Sequence, residues 1–88
     1  MIRVYSIPDC PYCIKIKDLL TSENIPFRDI NIYLPENKEE SDKLFELTKS
    51  DQVPILIVEK QILLPDVSFT TIDECFNIVK KLLNKENN

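Results

Sequence analysis

The chain has 88 residues, which sets one small domain as the limit. A hydrophobic content of 43% supports a packed core, and a net charge of −4 argues against nucleic acid as the main partner. Three cysteines and no histidine exclude a disulfide scaffold and point to thiol redox chemistry in a reducing compartment.

Residues 2–7 read as a first strand. Ile2, Val4, Tyr5 and Ile7 form a nearly continuous apolar run, as in a strand covered on both faces. Cys10-Pro11-Tyr12-Cys13 follows at the junction with a first helix over 11–23. Pro11 suits the first helical position, where a missing N–H costs nothing. Cys10 then sits where unpaired N–H groups and the helix dipole favour a thiolate. Cys13 lies about one turn further on, within reach of a disulfide formed on Cys10. The chemistry implied is thiol–disulfide exchange. Cys13, Ile16, Leu19 and Leu20 share one apolar stripe, with Lys15, Lys17 and Asp18 facing solvent. Asn24 suits a left-handed helix end, and Pro26 prevents continuation.

Residues 27–32 read as a second strand burying Phe27, Ile30 and Ile32, parallel to the first through a right-handed βαβ unit. Pro35 opens a second helix to about Lys49, with Leu44 and Leu47 on one face and Phe45 widening it. Ile55–Val58 and Gln61–Leu64 pair antiparallel across the tight Glu59-Lys60 turn. Thr71 and Glu74 form a capping-box pattern for a last helix carrying Ile72, Cys75, Phe76, Val79, Leu82 and Leu83 on one stripe. Cys75 reads there as a buried hydrophobe rather than a second redox centre. Residues 84–88 are expected to fray. Glycine is absent, so left-handed positions fall to Asn, Asp or strained residues.

This order and the Cys-Pro-Tyr-Cys run resemble the dithiol glutaredoxin family of the thioredoxin fold, over nearly the whole chain. Ile14 to Leu20 is similar to that family's first helix, and Val53-Pro54 matches its cis-proline site. The resemblance implies an α/β, thioredoxin-like fold, βαβαββα, with helices on both faces of a four-stranded mixed sheet. It implies reduction of protein disulfides and glutathione mixed disulfides, with Cys10 as nucleophile and Cys13 as resolving thiol. Glutathione would be the co-substrate, with no tightly bound cofactor, and would contact Tyr12, Gln52, Val53, Pro54 and Thr71.

The chain departs from the family at several positions. Leu64 to Thr71 replaces the usual Gly-Gly segment, with Thr71 near the acidic position that holds the glutathione amino group. Asp66 and Asp73 are the candidate substitutes there. Gln52 stands in place of Thr, and Ile7 in place of a basic residue. Lys15 and Lys49 are candidate partners for a ligand carboxylate.

Two alternatives stand beside this reading. One is a thioredoxin-like reductant recharged by a flavoprotein reductase. The other is a glutathione-dependent iron–sulfur module. Structural zinc is not expected, because a second C-x-x-C pair and histidine are both missing. The start of the chain shows no signal-peptide pattern and no apolar run long enough to span a membrane. A cytoplasmic monomer is therefore the expectation.

Overall fold

A computed structural model describes residues 1–86. Strand β1 (Ile2–Ser6) leads to helix α1 (Pro11–Ser22) and strand β2 (Phe27–Asn31). A 3-10 turn at Pro35–Asn37 precedes helix α2 (Lys38–Thr48). Strands β3 (Ile55–Val58) and β4 (Gln61–Leu63) and helix α3 (Ile72–Glu86) complete the order. The sheet order is β2-β1-β3-β4. β1 and β2 run parallel with Val4 opposite Asp29, while β3 pairs antiparallel with both β1 and β4. This is the α/β mixed sheet of the thioredoxin-like fold.

Two layers of apolar side chains follow from strand alternation. On one face, Ile2, Val4, Leu56 and Val58 meet Ile16 and Leu20 of α1 and Ile72, Cys75, Phe76 and Val79 of α3. On the other, Tyr5, Ile30 and Ile55 meet Leu44 of α2, with the half-buried Phe45 packed beside it. Fully burying one such aliphatic side chain contributes roughly 1.5–3 kcal/mol, so the α1/α3 face supplies most of the stabilisation. Around α2 the polar anchors converge on Glu40. Its carboxylate accepts a hydrogen bond from the Tyr5 hydroxyl at 2.8 Å and lies 3.5 Å from Arg3 and 3.6 Å from Arg28. Burial and the neighbouring Glu40 push the Tyr5 hydroxyl up to about 12.

Several boundaries differ from the sequence expectation. β1 stops at Ser6, whose side chain is tied to Asp29 at 2.8 Å, and Ile7 is half-buried beyond it. The second helix is split, because Pro35 sets a tight turn before regular α geometry begins at Lys38. Its buried stripe runs through Ser41 and Leu44, and Leu47 is 73% exposed. Positions 44 and 47 are three apart, but the stripe runs from 41 through 44 and 45 to 48, and 47 lies to one side of it. Lys17 is half-buried rather than free in solvent, since it reaches across to Asp29 at 3.1 Å. Phe27 and Ile32 are half-buried. β4 ends one residue earlier than expected, at Leu63. Residues 84–86 are helical rather than frayed, and the expectation for residues 87–88 lies outside the described residues.

Left-handed backbone appears at Asp9, Asn24, Lys49, Glu59 and Asp66. Three of these are Asn or Asp, the types that tolerate this region best in a chain without glycine.

Candidate active site

Helix α1 sets the site at its N-terminus. Asp9, at φ 60, turns the chain out of β1. Cys10 is extended at φ −99 and ψ 108 and caps the helix, with Pro11 inside the first turn. The Cys10 carbonyl accepts a hydrogen bond from the Ile14 N–H at 3.0 Å. Its sulfur accepts one from the Cys13 N–H at 3.2 Å. A helix N-terminus leaves its first N–H groups without partners inside the helix, so one of them here is aimed at sulfur. That contact and the dipole both favour negative charge on Cys10 Sγ.

The two thiols have different surroundings. Both are free. Cys10 is 8% exposed and lines an open groove, whereas Cys13 is fully buried. Burial, reinforced by the adjacent Cys10 sulfur, pushes the Cys13 thiol up to about 12, with a backbone hydrogen bond at Ile7 acting the other way. Cys13 therefore holds its proton firmly, while Cys10 is the thiol that reaches the groove.

The groove has a volume of about 570 Å³. Cys10, Tyr12, Gln52, Val53, Pro54 and Thr71 all line it, so the expected site residues come together on one surface. Tyr12 is 66% exposed at the rim, and the Val53-Pro54 bond is cis. Of the two candidate acids, Asp66 lines the groove, and Asp73 instead pairs with Lys15 at 3.5 Å. Lys15 is thereby engaged, and Lys49 ends α2 on the opposite face of the sheet.

The segment after β4 forms a compact turn in place of the Gly-Gly run. Ser68 holds it, accepting a hydrogen bond from the Leu64 N–H at 3.0 Å. The Asp66 N–H donates to the Phe69 carbonyl at 2.8 Å. Phe69 is buried in the α1/α3 core and also lines the groove. Thr71 Oγ1 accepts from the Glu74 N–H at 3.1 Å, as the capping-box pattern requires. The Glu74 carboxylate returns to the Thr70 N–H at 3.0 Å, one residue earlier than the simple box.

The glutaredoxin family model matches residues 2–63. The chain belongs to the glutaredoxin family. It is 36% identical over 63 residues to an uncharacterised glutaredoxin-like 8.6 kDa protein in the rubredoxin operon of Clostridium pasteurianum, covering 72% of this chain and 81% of that one. Among solved structures, a buckwheat glutaredoxin–glutathione complex superposes with a TM-score of 0.70 at 16% identity, over 96% of this chain and 76% of the other. The glutaredoxin-like NrdH-redoxin of Escherichia coli, described as having a thioredoxin-like activity profile, gives 0.65 at 17% identity over 92% of each chain. These two likenesses establish the fold.

Within this glutaredoxin-family site, Asp9, Pro65, Phe69 and Thr70 line the groove although the sequence reading assigned them no ligand role. Asp9 had a signal in its adjacency to Cys10. Phe69 had none, because its inward turn depends on the Ser68 hydrogen bonds. Cys75 is 0% exposed, and burial pushes its thiol up to about 12, which fits a core hydrophobe. Among the described residues, no group of three or more His, Cys, Asp or Glu is placed to hold a metal ion.

Proposed function

We propose that the chain is a thiol–disulfide oxidoreductase in which Cys10 attacks and Cys13 resolves. The observation that carries this is the Cys13 N–H aimed at Cys10 Sγ at the wall of an open groove, with the Cys13 thiol itself buried. The Cys10 thiolate attacks one sulfur of a substrate disulfide, forming a mixed disulfide and releasing the other sulfur as a thiolate. Cys13 then gives up its proton and attacks Cys10 Sγ, closing the Cys10–Cys13 disulfide and freeing the second substrate thiol. Two electrons pass from the protein dithiol to the substrate. With a glutathione mixed disulfide, a second glutathione completes the cycle at Cys10 without Cys13.

Glutathione is the co-substrate in this reading, and no cofactor is tightly bound. Its cysteinyl part pairs with the Val53 backbone beside Pro54 and Gln52, and Tyr12 packs on it from the rim. The γ-glutamyl amino group meets Thr71 and Asp66. The family membership and the shared groove support these roles. The protein acts as a single domain over residues 1–88, as a monomer, in a reducing compartment such as the cytoplasm. No helix among the described residues is long and apolar enough to cross a membrane.

A second reading, a thioredoxin-like reductant recharged by a flavoprotein reductase, is favoured by one feature. The Pro65–Thr70 turn brings side chains to the wall where the family's Gly-Gly run leaves bare backbone.

One experiment tests both readings. Disulfide reduction is coupled either to glutathione with glutathione reductase or to thioredoxin reductase, using wild type, Cys10→Ser and Cys13→Ser. The glutathione arm is expected to turn over, Cys10→Ser to be inactive, and Cys13→Ser to lose protein-disulfide reduction while keeping deglutathionylation. Turnover with thioredoxin reductase alone would establish the second reading. Equal loss of both activities in Cys13→Ser would overturn the division of roles.

A further inference from the structure

Among the described residues, the groove beside Cys10 carries two carboxylates and no cation. Asp9 and Asp66 line it, and none of its fourteen lining residues is Lys or Arg. The lysine one turn along α1, Lys15, is paired with Asp73 at 3.5 Å. Both aspartates are exposed to solvent.

Their backbone explains why a short Asx side chain stands at each position, but not why it is charged. Asp9 and Asp66 sit at φ 60 and φ 62. In a chain with no glycine, Asn or Asp fits that region, and Asn fits it at least as well as Asp. The left-handed backbone at these two positions therefore does not require the negative charge. That charge stands at the open groove beside Cys10, where two like charges act together on an approaching ion and are weakened by salt. An anionic disulfide approaching Cys10 would meet the attacking thiolate and both carboxylates at once.

We propose that this groove selects disulfides bearing positive charge beside the reacting sulfur, such as cysteines flanked by lysine or arginine, over anionic ones. The proposal rests on the reading of Cys10 as the attacking thiol. The chemical step is unchanged. Cys10 Sγ forms a bond to one substrate sulfur, the substrate S–S bond breaks, and the second sulfur leaves as a thiolate. Cys13 then gives up its proton and closes on Cys10, and the other substrate sulfur leaves as a thiolate. A cationic group beside the sulfur lies against Asp9 and Asp66 throughout. Glutathione disulfide still offers a γ-glutamyl ammonium group to Asp66, but its excess of carboxylates over ammonium groups makes it a weaker match than a cationic peptide disulfide.

The test uses the pre-reduced full chain in single turnover, acid-quenched and read by mass. The probes are two symmetric peptide disulfides identical except that lysine or glutamate flanks the cysteine. Each rate is divided by that of dithiothreitol with the same peptide, which removes intrinsic differences in the disulfides. The lysine peptide is expected to react roughly three- to tenfold faster at low salt, with the ratio falling as salt is raised. The Asp9→Asn/Asp66→Asn double variant keeps both backbone conformations and is expected to bring the ratio close to one. Glu36→Gln/Glu46→Gln removes the same net charge on the α2 side of the sheet and is expected to leave the ratio in place. A wild-type ratio near one, or a ratio unmoved by the Asp9/Asp66 variant, overturns the proposal. If neither peptide reacts, it is the oxidoreductase reading that fails.

Discussion

At the residue scale, the three cysteines show how one side chain takes three characters. Cys10 is a helix cap with an N–H aimed at its sulfur. Cys13 is buried against it, and Cys75 is packed among Val79, Phe76 and Ile72 with nothing to offset the loss of solvent. That burial has a consequence for stability. The Cys75 thiol rises from its ordinary 9.0 to about 12 in the folded state. The unfolded chain therefore loses this proton first as pH rises, and the folded state still holds it. Stability contributed by the neutral thiol is fully present below pH 9 and is lost as pH climbs from about 9 towards 12. The slope for one such thiol is about 1.4 kcal/mol per pH unit. Urea unfolding between pH 8 and 11 under reducing conditions is expected to show this decline, steeper in wild type than in Cys75→Ala by about one thiol's share. An identical slope in the variant would show that Cys75 is not shielded from solvent as the fold requires.

At the element scale, the periodic segments were legible and the breaks in period were not. α1 and α3 carry unbroken apolar stripes at helical spacing; Cys13, Ile16, Leu20, Ile72, Cys75, Phe76 and Val79 are buried as expected, and Leu19, Leu82 and Leu83 are half-buried. α2 is largely charged and offers few apolar residues, so its phase had to be read from Leu44, Phe45 and Leu47. Only Leu44 among these is fully buried. The phase is set instead by Ser41, a polar residue that no hydrophobic pattern would select. The same helix ends at Lys49 with φ 59 and ψ 22, and the Lys49 N–H donates to the Phe45 carbonyl at 2.8 Å. A left-handed helix end is ordinarily a glycine position. Lys49 is exposed, and its Cβ costs roughly 1–2 kcal/mol there, partly offset by the greater freedom glycine has when unfolded. Lys49→Gly is expected to raise the unfolding free energy by about 0.5–1 kcal/mol. A loss of stability in denaturant titrations would mean that the lysine side chain contributes more than its backbone strain removes.

At the scale of the whole molecule, the site lies on the better-packed side of the sheet. The order of elements along the chain and the two cysteines follow from local patterns, which is why that half of the groove was legible. The remaining wall depends on the Ser68-held turn and the inward Phe69, contacts between residues whose individual types carry no such signal. The two faces are unequal in what holds them. Among the described residues, twelve buried ones join α1, α3 and the sheet, whereas four form the cluster beneath α2. α2 also buries the Ser41 hydroxyl without a partner. Its main polar anchor is Glu40, which is 30% exposed and so contributes modestly to stability. Regions with few buried contacts open before the rest of a fold. Amide exchange at Asp42–Thr48 is therefore expected to proceed through an opening at least about 1 kcal/mol easier than that for Ile16–Leu20 or Cys75–Val79. Because the Glu40 pairs with Arg3 and Arg28 are partly exposed, raising the salt is expected to widen the gap. Cys10, Cys13 and the groove depend on α1, β3 and the turn before α3, so they stay assembled while α2 opens. Equal protection of all three helices would show that the Glu40 cluster couples α2 to the sheet as firmly as the hydrophobic core couples the other two.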